Sequence, residues 1–195
     1  WLDECVHGLD AEGVMPWMCL CYGNPIYGSD FNLGSGLAPL VSSPEAMAAW
    51  LKYIEATVTR YKDVVTEWEI WNEPFGQGAN YATLLIATAE LIRKIQPEAV
   101  ILVTAIHDAD RKIVLEALKA AGKLDLVNLW VYHPYVQNPD SSYPAVEKTR
   151  ALLESYNPKY KVYQGEVGCP SILEWTHALA NYPWTEYSQA KDRKS

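Results

Sequence analysis

Thr66-Glu67-Trp68-Glu69-Ile70-Trp71-Asn72-Glu73-Pro74 reads as a strand that ends in a carboxylate. Its aromatic and β-rich content suits a strand. Pro74 has no N–H and cannot continue a ladder, so Glu73 stands at the C-terminal end. Side chains alternate along a strand, which puts Glu69, Trp71 and Glu73 on one face. Asn72 and Glu73 therefore cannot both face the same way on a regular strand. If both are to reach one ligand, a bulge or twist is required at the strand end.

Four more apolar runs share this length and character: Gly13–Tyr22, Ala99–Ile106, Leu126–Tyr132 and Tyr160–Gly165. Amphipathic stretches separate them. Pro44–Lys62 carries Met47, Trp50, Leu51, Ile54, Val58 and Tyr61 at helical spacing, with Ser43 as N-cap and Pro44 at the first helical position. Ala79–Gln96 stops before Pro97, Asp110–Gly122 ends on a glycine suited to a C-cap, and Ser142–Tyr156 ends at Asn157-Pro158. Asp3–Glu12 reads as the tail of one more helix.

Strands alternating with helices imply a parallel sheet, open or closed into a barrel. A (β/α)₈ barrel needs about 250 residues, so five strands in 195 residues make either a barrel with pieces missing or an open doubly wound sheet. Either way the ligand face is built by the loops that follow strands. Two of these are long. Gly23–Ser43 holds Tyr27 and Phe31, and His133–Ser141 holds Tyr135, Asn138 and Pro139. Loops of that length usually carry function or are disordered.

Composition excludes several classes. A net charge of −8 with no basic stripe argues against a nucleic-acid partner. No run of 18 apolar residues occurs, so no membrane-spanning helix is expected. Cys5, Cys19, Cys21 and Cys169 show no CxxC spacing, and Cys19 and Cys21, two apart on one strand, are poorly placed for a mutual disulfide. They are read as small buried hydrophobes. No GxGxxG, GxxxxGK[ST], HExxH or GxSxG is present, which removes nucleotide-binding, zinc-hydrolase and α/β-hydrolase readings. No cofactor or metal is expected. The aromatics number 8 Trp and 13 Tyr against 2 Phe. Flat apolar faces with polar tips suit sugar rings, and equally suit a core that uses Trp and Tyr.

The run Tyr160-Lys161-Val162-Tyr163-Gln164-Gly165-Glu166-Val167-Gly168 also ends in a carboxylate. Two glutamates at the same end of two parallel strands point into one cleft, and such a pair is what cleavage of a glycosidic bond requires. Each could instead cap a helix or pair with a surface lysine.

Trp68-Glu69-Ile70-Trp71-Asn72-Glu73-Pro74 resembles the strand-four signature of clan A glycoside hydrolases, the retaining (β/α)₈ enzymes that include families 5 and 39. Gln164-Gly165-Glu166 resembles the clan's strand-seven nucleophile segment, and His133-Pro134-Tyr135 its strand-six His-x-Tyr. The resemblance implies a (β/α)₈ TIM barrel, incomplete here, with strands three to seven of eight in one partial catalytic domain over residues 1–195. It implies cleavage of β-glycosidic bonds in oligo- or polysaccharides by double displacement, with Glu73 as acid/base and Glu166 as nucleophile. Asn72 would bind the sugar 2-hydroxyl, and Tyr135 would donate its hydroxyl to Glu166. His133, His107, Trp175 and Trp184 are further candidates for substrate contact.

Two close carboxylates cannot both ionise cheaply, so Glu73 is expected to rest protonated and Glu166 charged. Their carboxyls should lie roughly 5–5.5 Å apart in a retaining enzyme. Glu69 would be a buried acid that needs a partner or takes a proton, and that partner could lie in the missing strands. Those strands would also bring the clan's strand-two Arg and strand-eight Trp, so the 195 residues alone are expected to show little activity. The alternative is a catalytically impaired, carbohydrate-binding relative of the same fold. The compartment stays open, with secretion or the periplasm preferred and any leader outside this sequence. The oligomeric state is open too.

Overall fold

The computed structural model describes residues 1–29, 36–136, 138–167, 185–187 and 190. Among the described residues six helices and five strands follow in the order α1 Leu2–Ala11, β1 Trp17–Leu20, α2 Leu37–Ser42, α3 Pro44–Tyr61, β2 Glu67–Ile70, α4 Gly78–Ile95, β3 Val100–Val103, α5 Asp108–Ala120, β4 Leu129–Tyr132, α6 Tyr143–Tyr156 and β5 Lys161–Gln164. The strands hydrogen-bond in sequence order, β1-β2-β3-β4-β5. Every pairing from β1 to β4 is parallel, with Cys19 opposite Glu69 and Glu69 opposite Leu102. The chain forms two compact units, residues 1–130 and 131–195, with the boundary inside β4.

In the first unit, α3 packs on α4 and α4 on α5. Ser43 Oγ accepts from Ala46 N at 3.2 Å, Pro44 takes the first helical position, and Trp50, Ile54, Val58 and Tyr61 form the buried stripe of α3. Gly122 follows α5 with φ +67°, a left-handed turn that spares glycine the Cβ clash. Gln96, just past α4, joins three elements. Its Oε1 accepts from Trp68 Nε1 at 2.7 Å, and its Nε2 donates to the carbonyls of Lys62 and Val65 at 2.9 and 3.0 Å. Arg60 and the Tyr61 hydroxyl bind Asp3, which docks α1 on α3.

Each strand is four residues long, shorter than its apolar run, because non-ladder bonds take over at the ends. Val14 N donates to Leu9 O in the turn after α1. Thr104 N donates to the Tyr81 hydroxyl, which itself donates to Ile70 O at 2.9 Å. The long segment after β1 is also not all loop. Pro25–Tyr27 makes a 3₁₀ turn, and α2 holds Pro39 in its first turn, where the missing N–H costs no helical bond, and buries Leu37 and Leu40. Phe31 lies outside the described residues.

In the second unit, α6 packs on β5 and buries Thr149 and Leu153. Asn157 Oδ1 accepts from Lys159 N at 3.1 Å, a turn that leads into β5. Among the described residues no helix is long and apolar enough to cross a membrane.

Candidate active site

The β2 end breaks regular geometry, as the alternation argument required. Trp71 has φ +67° and Glu73 φ +48°. Side chains with a Cβ rarely adopt this region, and each such residue costs of order 1–3 kcal/mol. Several contacts fix the break. Trp71 N donates to Leu20 O at 2.9 Å, extending the ladder. The fully buried Trp71 ring meets Tyr22 edge-on at 5.5 Å and Trp50 at 5.6 Å. Glu73 N points at Thr104 Oγ1, 3.4 Å away. The turn beyond is stapled by Asp110 of α5, a buried carboxylate that accepts from Gly76 N at 2.8 Å and Gly78 N at 3.0 Å. A Cβ on Gly78 would lie 2.9 Å from that carboxylate, so a glycine is needed there.

Asn72 and Glu73 are both half-buried. Asn72 Nδ2 donates to the Tyr22 hydroxyl at 2.9 Å, which orients the amide. Glu69 is 6% exposed, and its Oε2 accepts from Trp17 Nε1 at 3.1 Å. One partner of this buried acid thus lies on β1, within the chain.

The second unit assembles around Glu166, two residues past β5. The Tyr135 hydroxyl donates to Glu166 Oε2 at 2.9 Å. His133 Nδ1 lies 3.8 Å from the same oxygen, its side chain 3% exposed where that of Glu166 is 44% exposed. Gly165 makes this approach possible. Its N donates to Tyr132 O at 3.1 Å, and a Cβ there would sit 2.3 Å from Val131 Cγ1 and 3.0 Å from His133 Nε2. Any larger residue would push β5 away from β4.

His107 is the exposed residue just before α5, its ring stacked on Phe75 at 4.3 Å. Trp175 and Trp184 lie outside the described residues. Of the abundant aromatics, Trp50, Trp68, Trp71, Trp130, Tyr61 and Tyr81 are core. A cavity of ≈ 270 Å³ lies in the first unit, walled by Cys21, Tyr22, Tyr27, Trp50 and Tyr53 among others. Burial pushes the Tyr53 hydroxyl up to about 12, and the hydrogen bond from Cys19 draws the Cys21 thiol down. Tyr22, Thr104 and Asp110 were not singled out from the sequence. Tyr22 could have been, since it ends an apolar run just as Glu73 does. The other two act from 31 and 34 residues away and leave no local signal.

No protein-family model matches the sequence, and no curated protein does. The fold, however, is shared with solved structures. A family 39 glycoside hydrolase from the gut symbiont Bacteroides cellulosilyticus WH2 superposes with a TM-score of 0.68 at 19% identity, over 89% of this chain and 40% of that one. A Thermobacillus composti GH10 xylanase superposes with a TM-score of 0.54 at 16% identity, over 91% of this chain and 58% of that one. The chain therefore spans less than two thirds of either. The five strands and their helices have the fold of part of a (β/α)₈ barrel, as in both of these structures.

Proposed function

We propose that the chain carries the catalytic pair of a retaining β-glycosidase acting on oligo- or polysaccharides, with Glu73 as acid/base and Glu166 as nucleophile. The observation that carries this reading is the placement of two glutamates just past the C-terminal ends of β2 and β5, in a fold whose neighbours are glycoside hydrolases. Because the chain spans only part of those neighbours, the activity is proposed for the whole catalytic barrel.

The mechanism follows from the residues. Glu166 attacks the anomeric carbon while Glu73 protonates the leaving oxygen. The Tyr135 hydroxyl donates to Glu166 Oε2 and aims that carboxyl group. Once Glu166 is esterified, Glu73 has lost its proton to the leaving group and takes one from the incoming water. Asn72, oriented by Tyr22, meets the sugar 2-hydroxyl, a contact that strengthens in the transition state.

Azide tests the two roles. With an activated aryl β-glycoside, Glu73→Ala should be rescued by azide and yield the β-glycosyl azide, since azide attacks the glycosyl-enzyme. Glu166→Ala should lose nearly all activity, and azide should give the α-anomer by direct displacement. The same anomer from both variants would refute the assignment. Wild-type barrel that binds glycans without turnover would favour the impaired, carbohydrate-binding relative instead.

A further inference from the structure

Cys19 and Cys21 were read from the sequence as buried hydrophobes, and the structure gives them a different setting. Cys19 is exposed and Cys21 half-buried, and neither is in a disulfide. Strand alternation puts both on one face of the end of β1. Their sulfurs lie 3.8 Å apart, far beyond the ~2.05 Å of a disulfide bond. A tetrahedral cation with metal–sulfur bonds of ~2.3 Å holds its two sulfurs about 3.8 Å apart. The pair is thus already at the bite of such an ion. The carbonyl oxygen of Trp71 lies 3.3 Å from Cys19 Sγ and offers a third donor on the neighbouring strand. Cys21 also lines the cavity of ≈ 270 Å³ in the first unit.

We propose that Cys19 and Cys21 form a bidentate dithiolate site for a thiophilic divalent cation of the Zn²⁺ class. Thiolates are soft ligands and select such ions over Mg²⁺ or Ca²⁺. Each sulfur gives up its proton on binding, and the cation takes the place of the thiol hydrogens now shared among Cys19, Cys21 and the Trp71 carbonyl. No redox partner is needed. The ion would tie the end of β1 to the carbonyl of Trp71, two residues before Glu73. This inference does not depend on glycosidase chemistry, and its test reads no turnover.

The test uses the 195-residue chain with Cys5→Ser and Cys169→Ser, so that only the two thiols of interest remain. Cd²⁺ is titrated in and followed by the ultraviolet charge-transfer band of cadmium thiolate. One Cd²⁺ per chain should bind, and the melting temperature should rise with its concentration. Adding Cys19→Ser or Cys21→Ser should remove the band and weaken binding at least tenfold. A measurement without those substitutions guards against misfolded variants. In the Cd²⁺-loaded parent, iodoacetamide should fail to alkylate both cysteines together, as read by peptide mass spectrometry. Protection of only one cysteine, absence of the band, or a single-serine variant that binds like the parent would overturn the proposal.

Discussion

Asp110 gives the sharpest test of how the Glu73 turn is held. Its carboxylate is 5% exposed and accepts from Gly76 N at 2.8 Å and Gly78 N at 3.0 Å. It lies in the first turn of α5, where the helix N-terminus also favours negative charge. A hydrogen bond to a charged group contributes about 1.5–3 kcal/mol, and an orphaned buried N–H adds its own cost. Two such bonds share one side chain, so Asp110→Ala should cost about 3 kcal/mol, less than a plain sum. Asp110→Asn keeps one acceptor oxygen and should cost about half of that. With a urea m-value of about 2 kcal/mol/M, the midpoint should fall by about 1.5 M for Ala and about 0.7 M for Asn, at unchanged m. Tryptophan fluorescence during urea unfolding reads this directly, because Trp50, Trp68 and Trp71 are buried in the same unit. A midpoint for Asp110→Ala within 0.2 M of the parent would refute the stapling argument. Equal losses in Asn and Ala would also refute it, since charge and not the two acceptors would then dominate.

Two further outcomes follow. Tyr135→Phe removes the hydroxyl that donates to Glu166, worth about 1.5–3 kcal/mol to a charged acceptor. The step that forms the glycosyl-enzyme should slow about ten- to hundredfold, with KM little changed, as read by stopped-flow release of an aryl leaving group. Asp3→Asn tests the docking of α1. Hydrogen bonds from Arg60 and Tyr61 hold the Asp3 carboxyl well below the usual carboxylate range. A value lowered by folding gives support that is complete above about pH 4 and is lost as pH falls through the folded-state value. Thermal melts should therefore find Asp3→Asn less stable than the parent at neutral pH, with the gap closing as pH falls below about 4.

The strand–helix alternation was legible because it rests on local apolar periodicity. Ser43-Pro44 marked the start of α3 at the residue where it begins, because an N-cap is a local hydrogen bond. What sequence could not give were features set by distant partners. The strand ends depend on bonds such as Tyr81 to Ile70 O and Thr104 N to Tyr81, across 11 and 23 residues. Helix α2 contains Pro39 and spans six residues, too short for periodicity to announce it. The hydrogen bond from Trp17 to Glu69 was hidden because 52 residues separate two strand neighbours that only parallel pairing brings together.

Parity along β2 demanded a break near Asn72, yet could not say which residue would bear it. Nothing in a tryptophan favours φ +67°, and an isolated peptide would avoid it. The cost is offset by packing that only the fold provides. Trp71 is fully buried against Tyr22 and Trp50, and Trp50 is itself anchored by its Nε1 to Thr88 Oγ1 at 2.9 Å. The abundance of Trp and Tyr thus has a structural use beside the strand end. Core packing and the candidate site meet at Tyr22. Its ring packs on Trp71, its hydroxyl orients Asn72, and its surface lines the cavity. An aromatic core is a suitable support for a strained strand end, because large rigid rings bury much area at little cost in side-chain entropy.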